Sequence, residues 1–286
     1  MIVDSHTHIF PPRMSEHREE YVDRDPLFAR IYAKPNAKIA SCEDLIAIMD
    51  EEGIDRSFVL NANWGSLELC QETNDYIMES ISRYPRRLVG FCSLPPKAEE
   101  MAIAELERCV RGGMRGIGEM RPDFHGLERG DEAVMDNIFE VAKRHRLILI
   151  VHSSEPVGHE YVGKQKITPD VLEKLIARFP DMTIVCAHWG GGLPFYALMP
   201  EVAEALKNVF FDSSASPYLY RPEIFRHVAE IVGVEKVLFG SDYPIMPPSR
   251  VTKQLLSLDM GKEAEELILG GNAERLLGEH RNVDPD

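Results

Sequence analysis

Short apolar runs of β type alternate with helix-period segments from one end of the chain to the other, the pattern of parallel strands joined by crossover helices. Eight such runs stand out: Ile2–Ile9, Arg56–Ala62, Leu88–Leu94, Met114–Met120, Leu147–Ser153, Thr183–His188, Val209–Ala215 and Val237–Tyr243. Between and after them the pattern predicts helices over 41–52, 66–83, 99–111, 132–145, 168–178, 195–206, 222–232 and 249–257. Eight β-then-α units, spaced about 25 to 40 residues apart after a longer first interval, fit a single-domain α/β protein, a (β/α)8 TIM barrel over 1–286, better than a doubly wound sheet.

Punctuation supports these boundaries. Thr168-Pro169 and Arg221-Pro222 read as a cap position followed by proline at the first helical position. The segment 11–40 has mixed charge, four prolines (Pro11, Pro12, Pro26, Pro35) and no clear period. It is expected to be an insertion after the first strand, with short helical turns, lying as a lid over the barrel mouth. Beyond Glu263, Glu265–Leu269 and Asn272–Leu277 read as two short closing helices, and 279–286 as a frayed polar tail.

Composition narrows the partners. The 286 residues are 44% hydrophobic and 28% charged, with 32 basic against 47 acidic groups and a net charge of −15. That excess repels phosphate backbones and anionic lipid, so the expected partner is a small-molecule substrate, not nucleic acid or a membrane. The five cysteines (Cys42, Cys70, Cys92, Cys109, Cys186) form no CxxC pair, and an odd, scattered set is expected of a reduced, cytoplasmic protein. No apolar stretch approaches the roughly 20 residues that span a bilayer, and no basic region precedes the first strand as a targeting segment would require. The oligomeric state stays open, a homodimer included.

Chemistry concentrates at strand ends. Side chains alternate along a strand, so Asp4, His6 and His8 share one face. At the C-terminal end of a first barrel strand, a His-x-His pair can chelate a divalent ion. Taken alone, the pair reads more readily as two hydrogen-bonded histidines at a strand end. His152, His188 and Asp242 end the predicted fifth, sixth and eighth strands. Burying each unsatisfied would cost about 1–3 kcal/mol, more for a charged group, and a shared metal site removes that cost.

The set His6-x-His8, His152, His188 and Asp242 resembles the amidohydrolase superfamily of metal-dependent barrels. The opening Asp4-Ser5-His6-Thr7-His8, the segment Ala187-His188-Trp189-Gly190-Gly191-Gly192 and Phe239-Gly240-Ser241-Asp242-Tyr243-Pro244 are similar to its amidohydrolase 2 branch. That branch includes non-oxidative decarboxylases, lactone hydrolases and a hydratase. The resemblance implies that His6, His8, His152 and Asp242 contact the metal, with His188 beside it as a base or polarising group. Glu119 ends the fourth strand, where some superfamily members place a carboxylate or a modified lysine as a ligand. Its parity with Ile117 aims it into the mouth if Ile117 is a core residue, and the alternative is a pair with Arg121. Decarboxylases of the branch lack a glutamate here, a departure that favours hydrolysis and leaves a second metal open.

The loop after the fifth strand is rich in polar groups, and loops at this face choose the substrate. Glu155, His159 and Lys164 are candidate substrate contacts, against the alternative of a solvated loop. Asn63, Trp64, Phe195 and Tyr196 are candidate pocket walls, although Trp64 fits equally under the lid. Arg13 is within sequence reach of an anionic group, with a lid salt bridge as its plainer role. Gly190-Gly191-Gly192 lacks the lysine of a phosphate loop and reads as close backbone approach to substrate or as a tight turn.

The leading expectation is a hydrolase of an amide, ester or lactone bond in a small polar or anionic molecule. The ion activates water, Asp242 or His188 takes its proton, and mixed donors point to zinc first and manganese second, one ion expected and two allowed. The alternative is a decarboxylase or hydratase of a small carboxylic acid, using the same ligands. A barrel that only binds metal or ligand is the third reading.

Overall fold

The structure is a computed structural model that describes residues 1–62, 64–95, 99–121 and 132–280. Eight parallel strands lie in sequence order in one sheet. They are β1 Val3–His8, β2 Arg56–Leu60, β3 Leu88–Cys92, β4 Gly116–Met120, β5 Ile148–Val151, β6 Thr183–Cys186, β7 Val209–Asp212 and β8 Val237–Leu238. A parallel bridge between Thr7 and Tyr243, with Ser5 N donating to Phe239 O (2.8 Å) and His8 N to Tyr243 O (2.7 Å), joins the last strand region to the first. The fold is therefore the expected (β/α)8 TIM barrel.

Side-chain parity divides the core into two layers. Val3, Phe58, Phe91, Ile150, Val185 and Leu238 fill the barrel interior, while Val59, Leu149, Ile184 and Cys186 pack outward with helix residues such as Leu106 and Leu175. Phe58 and Phe91 stack at 5.1 Å between centroids. Glycine at 116 makes room for them, since a Cβ there would lie 2.3 Å from the Phe91 ring. Because both faces of each strand are covered, the strands read in the sequence as nearly unbroken apolar runs.

The helices fall where the period placed them: Cys42–Glu52, Leu67–Arg83, Glu99–Arg111, Glu132–Arg144, Pro169–Arg178, Ile224–Val232 and Pro248–Leu256. The first is bounded by a Ser41/Asp44 capping box and by Gly53 at φ 71°, which satisfies the end groups that a helix cannot pair internally. The ends of three strands differ from expectation: β7 stops at Asp212 and β8 at Leu238, short of the runs to Ala215 and Tyr243, which leaves Asp242 in left-handed backbone at φ 71°. β6 stops at Cys186, and the chain passes through left-handed residues from His188 to Gly192 before a 3-10 stretch to Leu198 and a short helix at Pro200–Ala205. The closing elements are Lys262–Glu266, Leu267–Gly271 and Asn272–Glu279. The tail expected to fray from 279 is still anchored at His280, whose ring meets Thr183 Oγ1 and the Arg146 carbonyl at 2.9 Å each; 281–286 lie outside the described residues.

The insertion carries three short helices, Pro12–Glu16, Arg18–Arg24 and Pro26–Tyr32. Asp25 caps the third, accepting from Leu27 N and Phe28 N at 2.8 Å, and ties it to the barrel by accepting from Gly65 N at 2.7 Å. A separate apolar cluster forms beneath, in which Phe10 and Phe28 pack against the fully buried Trp64 and Tyr32 packs on both of them. Trp64 is thus a packing residue under the insertion and not a pocket wall. Trp64→Ala should cost about 3–5 kcal/mol in urea unfolding, the usual loss for a buried tryptophan; a change below about 1 kcal/mol would contradict this packing.

Candidate active site

The C-terminal ends of the strands bring His6, His8, Glu119, His152, His188, Asp212 and Asp242 together, all buried. The strands are irregular there. β1 shifts register against β2 between Asp4 and Thr7, and β4 shifts against β5 between Ile117 and Met120. Such bulges re-aim side chains. The second shift corrects the parity argument for Glu119: Ile117 packs on the helix side with residues such as Leu106, and the irregularity that follows it accompanies a Glu119 carboxylate placed among the imidazoles. His188, outside its expected strand, has φ 53°, and its Nδ1 lies 3.0 Å from the Ser214 carbonyl.

Distances define a compact donor set. His6 Nε2 and His8 Nε2 are 3.2 Å apart, and Asp242 Oδ1 lies 3.3 Å from His8 Nε2 and 3.8 Å from His6 Nε2. Glu119 Oε1 is 2.8 Å from His152 Nδ1, 3.4 Å from His188 Nε2 and 3.8 Å from His6 Nε2. Glu119 Oε2 accepts from Arg121 Nη2 at 2.8 Å, so the carboxylate serves the histidines on one side and an arginine on the other. Among the described residues, two triads offer converging ligand atoms, His6/His8/Glu119 and Glu119/His152/His188.

Asp212, at the end of β7, was not singled out from the sequence, although it ends an apolar run in the same way as His152 and Asp242. Its Oδ2 meets His6 Nδ1 at 2.9 Å, while Oδ1 accepts from His188 N (3.1 Å), Ser214 N (3.0 Å) and Ser214 Oγ (2.5 Å). A proton on Nδ1 facing Asp212 leaves Nε2 of a neutral His6 as a lone pair directed at the cluster. This carboxylate–histidine arrangement is how proteins orient a metal-ligating imidazole.

The electrostatics favour positive charge at the centre. Burial works to lower the pKa of His6, yet Asp212, Glu119 and Asp242 outweigh it and the net shift is upward. Burial likewise opposes protonation of His188, but Glu119 and Asp242 carry it to about 10. Glu119 is pushed up by burial and pulled well below its ordinary value by Arg121 and His152. His152 moves the other way, to about 4, under burial and the Arg121 charge. Buried imidazole nitrogens 3.2 Å apart, facing carboxylates that attract a proton or a cation, are a donor set that fits a divalent ion.

Above the cluster lies a cavity of about 510 Å³. Its walls include His8, His152, His188 and Asp242, the insertion residues Tyr32 and Lys38, and Arg121, His159, Tyr161 and Ile245. Of the substrate contacts expected from the sequence, His159 reaches this cavity. Lys164 instead binds its own loop through the Val157 and His159 carbonyls and Glu160, and Glu155 accepts from Tyr161 Oη at 3.1 Å. Arg13 is exposed and pairs with Glu20 at 3.2 Å. Phe195 and Tyr196 lie on the surface, 40% and 51% exposed. Asn63 is outside the described residues. Gly191 is a close-packed turn, since a Cβ would sit 2.4 Å from the Ser154 carbonyl oxygen. Tyr32 and Lys38 were missed because the insertion has no period to orient its side chains.

Asp212→Asn should weaken metal binding about 10- to 100-fold, the usual loss when a ligand histidine loses its orienting carboxylate. Competition with a metal-responsive dye measures this, and unchanged affinity would remove Asp212 from the support of His6.

Comparison with known proteins places these residues in context. The family model described as Amidohydrolase matches residues 3–278. A 2-amino-3-carboxymuconate-6-semialdehyde decarboxylase of Dictyostelium discoideum is 26% identical over 255 residues, covering 77% of this chain and 68% of that protein. The crystal structure of 5-carboxyvanillate decarboxylase from Sphingomonas paucimobilis superposes with TM-score 0.76 at 18% identity, covering 96% of this chain and 98% of that one. A dihydroxybenzoic acid decarboxylase of Polaromonas sp. JS666, with bound manganese and the inhibitor 2-nitroresorcinol, superposes with TM-score 0.72 at 18% identity, covering 98% and 97%. These relatives overturn the hydrolytic expectation, since each is named a decarboxylase. The inference from Glu119 fails for a physical reason as well: paired with Arg121 and shared among imidazoles, this carboxylate is compatible with either reaction.

Proposed function

We propose, from the premise that the chain belongs to the amidohydrolase family, that it is a metal-dependent lyase catalysing non-oxidative decarboxylation of a small unsaturated or aromatic carboxylic acid. The observation that carries this reading is the shared reaction of its relatives, from Dictyostelium to Polaromonas. His6, His8, Asp242 and His152 would hold the ion, with Glu119 between the histidines. When bound, the ion supplies a positive centre that orients the substrate's oxygens and draws electron density from the carbon that loses its carboxylate. Zinc and manganese both suit nitrogen and oxygen donors; manganese, present in the Polaromonas neighbour, is the first to load.

The remaining chemistry falls to the chain's own groups. Loss of carbon dioxide leaves an electron pair on carbon, which must take up one proton: R–COO⁻ + H⁺ → R–H + CO₂. His188 is placed to give it. Its Nδ1 is engaged by Ser214, its Nε2 lies beside Glu119, and its side chain lines the cavity. Tyr32, Tyr161 and Ile245 supply a largely apolar wall, which disfavours a carboxylate relative to uncharged carbon dioxide.

The test incubates manganese-loaded protein with a panel of hydroxybenzoic and unsaturated carboxylic acids, alongside lactones and amides. Carbon dioxide release from an acid, matched one-to-one by the shortened product, is the expected outcome. Turnover confined to lactones or amides would contradict the proposal.

A further inference from the structure

Arg121 has no place in the proton-transfer chemistry above, and its setting is unusual. It follows β4 directly, is only 6% exposed, and lines the same cavity as His188 and Asp242. Glu119 is its ion-pair partner at 2.8 Å. That carboxylate also faces His152 at 2.8 Å and His188 at 3.4 Å through its other oxygen. Glu119 is thus shared between the guanidinium and the histidines, and Arg121 brings a buried positive charge to the cavity wall. Lys38 of the insertion lines the cavity too, and Tyr32 lies within electrostatic reach of Arg121 and Asp242.

We propose that Arg121 anchors a second anionic group of the substrate, one that the reaction leaves in place, and thereby selects diacids over monoacids. This rests on the decarboxylation reading. The alternative seat, the departing carboxylate, is disfavoured by the direction of charge flow. A guanidinium on that group stabilises the charged ground state and loses its partner as the group leaves uncharged, so it raises the barrier. On a retained carboxylate it interacts equally before, during and after bond breaking. Such uniform binding lowers KM without changing kcat. A guanidinium presents several N–H donors in a planar fork, so it can serve Glu119 and a substrate carboxylate together.

Two unreactive probes test the anchor without turnover: isophthalate, with two carboxylates, and benzoate, with one. Calorimetric titration of the manganese-loaded wild-type protein should show isophthalate binding at least about tenfold tighter, the size expected of one charge-assisted hydrogen-bonded contact. Arg121→Gln should bring the two probes within about threefold while leaving benzoate affinity nearly unchanged, and Arg121→Lys should retain part of the preference. Equal wild-type affinities, or an Arg121→Gln protein of full metal content that loses both probes equally, would overturn the proposal. If Arg121→Gln does not fold, the wild-type ratio and Arg121→Lys decide. For any diacid the enzyme decarboxylates, Arg121→Lys should raise KM with little change in kcat; a fall in kcat alone would assign Arg121 to the departing group. Because both probes report binding only, absence of carbon dioxide release from the acid panel would sink the decarboxylase reading and leave the anchor to be judged by the titration.

Discussion

Replacing His188 by asparagine should leave the ion in place and lower kcat about 10²- to 10⁴-fold, the range that a positioned proton donor contributes. The side chain is shorter, uncharged and unable to deliver a proton near neutral pH, while the proposed ligands come from other parts of the barrel: His6 and His8 from β1, His152 just after β5 and Asp242 from the segment after β8. Asp242→Asn is the informative companion. An asparagine oxygen can still face the ion but brings no charge, so metal content should fall modestly and the rate severely. Metal analysis and turnover on the same preparations separate the two roles. A His188→Asn protein with near-native turnover would exclude His188 as the proton source and shift attention to Asp242.

His6→Ala should have the opposite signature: loss of the ion and of turnover together. His6 is fully buried at the centre of the set, held by Asp212 at 2.9 Å and within 3.2 to 3.8 Å of His8, Glu119 and Asp242. Removing its ring takes away one donor and leaves three carboxylates facing a cavity with less positive charge. Metal content should fall to a small fraction of one ion per chain, by elemental analysis after dialysis, and manganese in excess should restore little activity. The barrel itself should persist, because the interior layer of Val3, Phe58, Phe91 and Ile150 is untouched. A His6→Ala protein that retains a full ion would contradict the proposed ligand set.

What could be seen in the sequence follows from where local chemistry is decisive. Strands covered on both faces must be apolar throughout, so the eight runs stood out, and polar residues closing them, such as His152, could be placed at one end of the barrel. Asp212 carries the same signal at the end of Val209-Phe210-Phe211 and was there to be read. Residues governed by irregular backbone were not. His188 and Asp242 each ended an expected strand but sit in left-handed backbone beyond it, and Glu119 lies within a register shift that strand parity does not anticipate. In the loop after β5, polarity was a poor guide to substrate contact: Lys164 satisfies backbone carbonyls of its own loop, as surface loops must do for groups that no strand or helix pairs. Tyr32 and Lys38 come to the cavity from an insertion whose placement depends on tertiary packing around Trp64. The reaction itself was hidden for a chemical reason. Imidazoles and carboxylates around a divalent ion can promote either hydrolysis or decarboxylation, and only the named relatives separate the two.

The central claim is that one carboxylate leaves as carbon dioxide and one solvent-derived proton takes its place. The direct measurement runs the manganese-loaded protein in deuterium oxide with the best acid from the panel and follows the product by mass spectrometry and NMR. The expected product has lost one carbon dioxide and carries one deuteron at the carbon that bore the carboxylate. A product that has instead gained the elements of water, with no carbon dioxide released, would contradict the account.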